Sequence, residues 1–152
     1  AQSRPNVMNF RLLQVRAMVT KEYPAMLEAG EKAWLLRDTD EMGALLAEPV
    51  HQSQQSAALA AFELGQIDRA AALLISSLDL PRRRWSSSST EMKVADQLLQ
   101  KQHRSAVIAY LEVCLKTDWP NRTAILKQWL EDSKLGKTPN YSFRSKPSYP
   151  LP

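Results

Sequence analysis

The residues best suited to binding chemistry form one run, Arg82-Arg83-Arg84-Trp85. Three guanidiniums beside an indole can take a phosphate or an acidic surface, with an arginine stacked on the Trp85 ring. No aromatic-interleaved basic stripe extends the run, so an acidic protein surface suits it better than nucleic acid. Its plain alternative is a solvated loop whose Trp packs on its own hairpin. Ser86 to Ser89 follow directly. Phosphate on that serine run would neutralise the arginines or add charge at a helix start; unmodified, it reads as a loop and an N-cap. A second binding group closes the chain: Tyr141, Phe143, Arg144, Lys146 and Tyr149 alternate with Pro139, Pro147, Pro150 and Pro152. The aromatic rings suit pockets on a neighbour and the cations suit its acidic groups.

Catalytic chemistry has little to stand on. His51 and His103 fall in different hairpins with no ligand spacing around them, and both read as surface or helix-end residues. Cys114, the single cysteine, lies between Val113 and Leu115 and reads as a small buried hydrophobe rather than a nucleophile. One cysteine also excludes an internal disulfide and a multi-cysteine metal site. There is no Gly-rich phosphate loop, no Gly-x-Ser-x-Gly elbow and no carboxylate pair in an apolar frame. The expectation is a non-catalytic protein with no cofactor and no metal.

The elements that position these groups are helical. Ala, Leu, Gln, Lys, Arg and Glu dominate, Gly is scarce, and β-branched runs are missing. The chain therefore reads as all-α. A first helix is expected from about Pro5 to Thr20, with Phe10, Leu13 and Ala17 on its apolar face and Arg11, Gln14 and Met18 off it. After a turn at Lys21-Glu22-Tyr23, Pro24 opens a second helix to about Leu36, anchored by Leu27, Trp34 and Leu35. Asp38-Thr39-Asp40-Glu41 fits a capping box for a short helix, Glu41 to Ala47, that ends before Pro49. Helices from about Val50 to Leu64 and Ile67 to Leu78 flank Gly65, which suits a left-handed closing position. Ser88-Ser89-Thr90-Glu91 starts another helix to about Gln102, followed by Ser105 to Thr117. The last runs from about Arg122 to Lys134, apolar at Ile125, Leu126, Trp129 and Leu130, wet at Lys127, Gln128, Glu131 and Asp132, and closed by Gly136.

Residues 56 to 80 set two apolar helical segments around one turn at Gly65-Gln66, with alanines where helices must approach closely. Three helix pairs share that rhythm. Leu64 to Ala70 precedes Leu73, Leu74 and Leu78 before Pro81. Gln100 to Ala106 precedes Tyr110, Val113 and Leu115 before Pro120. Lys21 to Ala25 precedes Leu27 and Ala33. Aligning Ala25, Ala70 and Ala106 gives spacings of 45 and 36. This pattern resembles degenerate tetratricopeptide repeats, whose period is about 34. The resemblance covers roughly residues 5 to 134 and is specific only around 56 to 81. The Trp–Leu-Gly–Tyr pattern of the first helix of each unit is missing, and the turn glycine appears only at Gly65. The first spacing requires an insertion, which the short helix 41 to 47 would be. The resemblance implies antiparallel hairpins stacked as a short TPR-like array with a concave groove for a peptide or helix. Individual groove contacts do not transfer, because the first-helix motif is too degraded.

Two regions are thus expected: a helical domain over 1–136, ended by a capping helix, and an extended Pro-rich tail over 137–152. The net charge of +4 lies from Lys134 onward, in Lys134, Lys137, Arg144 and Lys146, since residues 1 to 133 hold 16 basic and 16 acidic side chains. Alone, a tail of that composition cannot bury enough surface to order itself. It suits a strap laid across a neighbour. The expected function is an interaction scaffold, a structural or accessory subunit of a larger multi-protein assembly. Its binding residues would be Arg82, Arg83, Arg84, Trp85, Tyr141, Phe143, Arg144, Lys146 and Tyr149. The alternative is a basic-tailed accessory protein on RNA or a ribonucleoprotein particle, with steeply salt-dependent affinity. No apolar run is long enough for a spanning helix. The start at Ala1 rather than Met fits a processed exported (periplasmic) or organellar protein, or a trimmed chain.

Overall fold

The computed structural model describes residues 6–39, 47–80, 93–101, 103–116 and 123–137. Among them lie seven helices and no strand: α1 (Val7–Val19), α2 (Tyr23–Leu35), α3 (Glu48–Glu63), α4 (Ile67–Ser76), α5 (Lys93–Gln100), α6 (Arg104–Lys116) and α7 (Thr123–Lys134). The chain is all-α. Its helices pair as the hairpins α1/α2, α3/α4 and α5/α6, and α7 packs on α6. Asp40 to Leu46, which would hold most of the expected short helix, lie outside the described residues, as does the capping box at Ser88 to Glu91. Pro49 sits in the first turn of α3, and Glu48 before it is helical; there the proline's missing N–H has no intrahelical partner to lose.

The first two hairpins turn in one way. Glu22 N donates to Ala17 O at 2.8 Å and Lys21 N to Met18 O at 3.2 Å; Gln66 N donates to Ala61 O at 2.9 Å and Gly65 N to Phe62 O at 3.0 Å. This closure satisfies carbonyls that a helix end leaves unpaired, and it needs one residue in left-handed geometry. Lys21 (φ 57°) fills that place in the first turn and Gly65 (φ 78°) in the second. At the end of α5, His103 N reaches Leu98 O at 2.8 Å. Counting from Glu22, Gln66 and His103, the equivalent inward residues are Met26, Ala70 and Val107, all fully buried. The alignment on alanines is therefore one residue off in two hairpins: Ala25 is exposed and Ala106 is half-buried.

Two apolar clusters hold the array. The first joins α1, α2 and α3 through Ala17, Met26, Leu27, Ala57, Ala60 and Ala61, with Ala70 of α4. The second joins α4, α5, α6 and α7 through Leu74, Leu98, Val107, Tyr110, Leu111, Cys114, Leu126, Trp129 and Leu130. α7 has the expected one-sided character, with Leu126, Trp129 and Leu130 buried and Lys127, Gln128 and Glu131 exposed. Its C-terminus closes at Gly136 (φ 81°). The Arg104 guanidinium donates to Ser133 O at 2.9 Å, Lys137 O at 3.1 Å and Gly136 O at 3.3 Å, so it caps the negative end of α7. No helix among the described residues is long and apolar enough to cross a membrane.

Candidate functional site

Arg82, Arg83, Arg84 and Trp85 lie outside the described residues, as do Tyr141, Phe143, Arg144, Lys146 and Tyr149. The geometry that the structure does describe for binding centres on α1.

That helix starts at Val7 because Asn6 caps it, the Asn6 Oδ1 accepting from Asn9 N at 2.8 Å. Its inward face is Val7, Gln14 and Ala17, not Phe10, Leu13 and Ala17. Gln14 is fully buried. Its amide donates to Ser53 O at 2.8 Å and Met26 O at 3.2 Å, so one side chain ties α1 to both α2 and α3. Its carbonyl accepts from Arg11 Nη1 at 2.8 Å, and the same nitrogen donates to Ser56 Oγ at 2.7 Å. Burial without a carboxylate partner among the described residues pulls the Arg11 pKa below the usual arginine value.

With Gln14 turned inward, Phe10 and Leu13 face sideways along α2. They form, with Ala17, Ala25 and Ala29, the apolar floor of an open groove of about 260 Å³ between α1 and α2. Arg16, Glu22, Glu28 and Lys32 make its rim. Lys32 Nζ pairs with Glu28 Oε1 at 3.0 Å and sits 5.9 Å from the Phe10 ring centroid. Leu13 remains 52% exposed, so the floor is not covered by the fold itself. An apolar floor with both charge signs on its rim can bury an apolar side chain and pair with charges on either side of it.

The helix behind this site buries a polar stretch beside its alanines. His51, Ser53, Gln54, Gln55 and Ser56 of α3 are all buried. His51 is thus not a surface residue: its Nδ1 lies 2.9 Å from Ser77 O. Gln55 Nε2 donates to Ser77 Oγ at 2.9 Å and to the Tyr110 hydroxyl at 3.1 Å, and Gln54 Nε2 to Ser76 Oγ at 2.9 Å. These bonds clamp α3 to α4 and α6. His103 is half-buried at its turn, and Cys114 is fully buried, as a packing residue would be. Among the described residues, no three His, Cys, Asp or Glu side chains gather as a metal ion would need.

No family model, curated protein or solved structure matches this chain. Gln14 and His51 were missed because a polar residue on a helical wheel is assigned to water. The available signal was the run His51 to Ser56, which has no apolar residue yet leads straight into the Ala-rich stretch that must be interior.

Proposed function

We propose that this chain is a helical interaction module, a non-catalytic structural or accessory subunit of a larger protein assembly. The observation that carries the proposal is the groove between α1 and α2, with Phe10, Leu13, Ala17, Ala25 and Ala29 beneath a rim of Arg16, Glu22, Glu28 and Lys32. Protein interfaces are built this way, an apolar centre that excludes water within a polar border. The occupant would be an aliphatic or aromatic side chain on a partner's segment, with a charged residue beside it. Three hairpins with related turns add to the reading, because tetratricopeptide-like arrays present grooves of this kind. Arg82 to Trp85 and the aromatic tail would be further contacts, and two linked contact sets gain avidity through effective concentration. The RNA reading is less favoured at the groove, since Glu22 and Glu28 on its rim would repel phosphate.

The test is co-purification from the native source with identification by mass spectrometry, using three tagged forms: the full chain, Leu13→Asp, and a chain ending at Lys137. That end point keeps the Arg104 cap on α7 intact. A defined partner set that Leu13→Asp loses, with unchanged circular dichroism, is the expected result. Loss only on truncation would move recognition to the tail. If all three forms come alone, the interaction-module reading fails.

A further inference from the structure

α1 carries a second apolar surface, on the side away from Gln14. Met8, Leu12, Val15 and Val19 are 39%, 65%, 41% and 79% exposed. Their spacing is four, three, four residues. At about 100° per residue they fall within about 60° of the helix circumference, so they make one line. A line that narrow is the a/d seam of a helix pair rather than the broad apolar face of a helix packed in a core. Both flanks of the line are basic. Arg16 stands between it and the groove, and Arg11 borders it on the α3 side. Lys21 follows at the end, and the first acid after Asn6 is Glu22. Arg11 and Arg16 form no ion pair with a described residue.

We propose that Met8, Leu12, Val15 and Val19 are the docking seam for an amphipathic α-helix of a partner protein, apolar at heptad spacing and flanked by carboxylates. The proposal rests on the interaction-module reading and names what one face of that module holds. Charge complementarity selects the partner. A second copy of this chain would bring arginine against arginine across the seam, which heptad pairing disfavours whichever way the helices run. The chain's own tail is also basic, with Arg144 and Lys146 and no acid. An anionic lipid surface would match the arginines, but the seam is narrow and holds no aromatic ring. An acidic helix has neither difficulty: it needs only a line of side chains, and its carboxylates can pair with Arg16, which has no ion pair with a described residue, and with Arg11 beside its bonds to Gln14 and Ser56.

The probe is a dye-labelled three-heptad peptide with Leu at a and d and Glu at e and g, titrated against the full chain by fluorescence anisotropy. A twin peptide with Lys at e and g is the control. The Glu peptide should bind at least about tenfold more tightly than the Lys peptide. The double variant Leu12→Glu/Val19→Glu should lose about tenfold or more, and Arg16→Glu should shrink the preference for Glu over Lys. Both substituted apolar residues are exposed, so an unchanged melting curve is expected of the variant. Equal binding of the two peptides, no binding of either, or indifference to the double variant each overturns the proposal. So does seam-dependent sedimentation with phosphatidylserine vesicles in place of peptide binding, or a dimer that the double variant dissolves. A native partner that is lost with Leu13→Asp and kept with Leu12→Glu/Val19→Glu removes the seam while leaving the module standing.

Discussion

The two ends of the array are joined by different physics. Around α1, α2 and α3, small residues (Gly30, Ala57, Ala60 and Ala61) outnumber the large Met26 and Leu27, with Gln14, Ser53 and Ser56 bonded among them. Around α4, α6 and α7 they are Leu74, Tyr110, Leu111, Leu126, Trp129 and Leu130. The first interface brings backbones close and fixes their register by hydrogen bonds. The second mainly removes large side chains from water, with hydrogen bonds at its edges, from Gln55 to Tyr110 and from Arg104 to the end of α7. A close, polar contact gains less from area but tolerates few alternatives, whereas a large apolar core tolerates shape change if volume is kept. The interface that must be held in one geometry is the one carrying the proposed binding surfaces. α1 is positioned by Gln14 and Arg11, and its free faces are aimed by that anchoring.

The comparison breaks most visibly at Leu111, which is fully buried. Leu111→Ala should cost about 2–5 kcal/mol, by lost transfer energy plus a cavity. Leu111→Met keeps the volume and should cost less than about 1.5 kcal/mol. Urea unfolding of both variants measures the gap. Equal losses would mean that the second cluster is as shape-specific as the first, and the contrast would collapse.

Gly30 asks the converse question. In an open helix, Gly→Ala is stabilising by roughly 1 kcal/mol. Here a Cβ would lie 2.7 Å from Ala57 Cβ and 2.7 Å from Gln14 Nε2, with Ser53 O at 3.1 Å. Gly30→Ala is therefore expected to reverse sign and destabilise by about 1–3 kcal/mol. Ala57→Gly in the same chain removes one of the close contacts and should restore part of the loss. If the two substitutions are simply additive in thermal melts, the close approach is not what limits the site.

Gln14→Leu probes the polar half of that interface. The side chain keeps most of its bulk, but Ser53 O loses a donor and the half-buried Arg11 loses an acceptor. A cost of about 1–3 kcal/mol is expected. Pairing it with Arg11→Met should recover part of this, because the buried charge leaves with its partner. Full additivity in the double-mutant cycle would count against a coupled network.

How far these features could be read beforehand depends on what each element asks of its residues. α7 was largely legible, since Leu126, Trp129 and Leu130 are buried opposite exposed Lys127, Gln128 and Glu131, while Ile125 and Asp132 are both half-buried. The turn at Gly65 was legible because glycine announces left-handed geometry. α1 was not, because it is apolar on several sides and buries a glutamine. A helical wheel that ranks Phe10 and Leu13 above Gln14 rotates it wrongly. Of the expected anchors of α2, Leu27 is buried but Leu35 is among the most exposed apolar residues, and Met26, Ala29, Gly30 and Ala33 complete the packing. Small residues and hydrogen-bonded amides carry little hydrophobic signal, so an interface made from them is hard to see in one dimension. Where the groove sits followed from that rotation and was equally hidden.

The smallest expected effect lies in the pair of turns that the two hairpins share. Both close with the same two backbone bonds, yet one places Lys21 and the other Gly65 in left-handed geometry. For an L-residue with a Cβ that geometry costs on the order of 1–2 kcal/mol. Glycine avoids the cost but brings a more flexible unfolded chain, which returns about 0.4–1 kcal/mol of it. Lys21→Gly should therefore stabilise the fold by up to about 1 kcal/mol, and Gly65→Lys should destabilise it by a similar amount. A Cβ at Gly65 meets nothing within 4 Å, so strain in the backbone is the only steric term in that substitution. Lys21 is exposed, which leaves the first turn equally free of packing. If the pair of turns is equivalent, the double variant Lys21→Gly/Gly65→Lys should melt close to the parent chain. A double variant well below it would show that the lysine does something at the first turn that it cannot do at the second. The nearest candidate for that role is the basic end of α1, where the proposed acidic helix would pass.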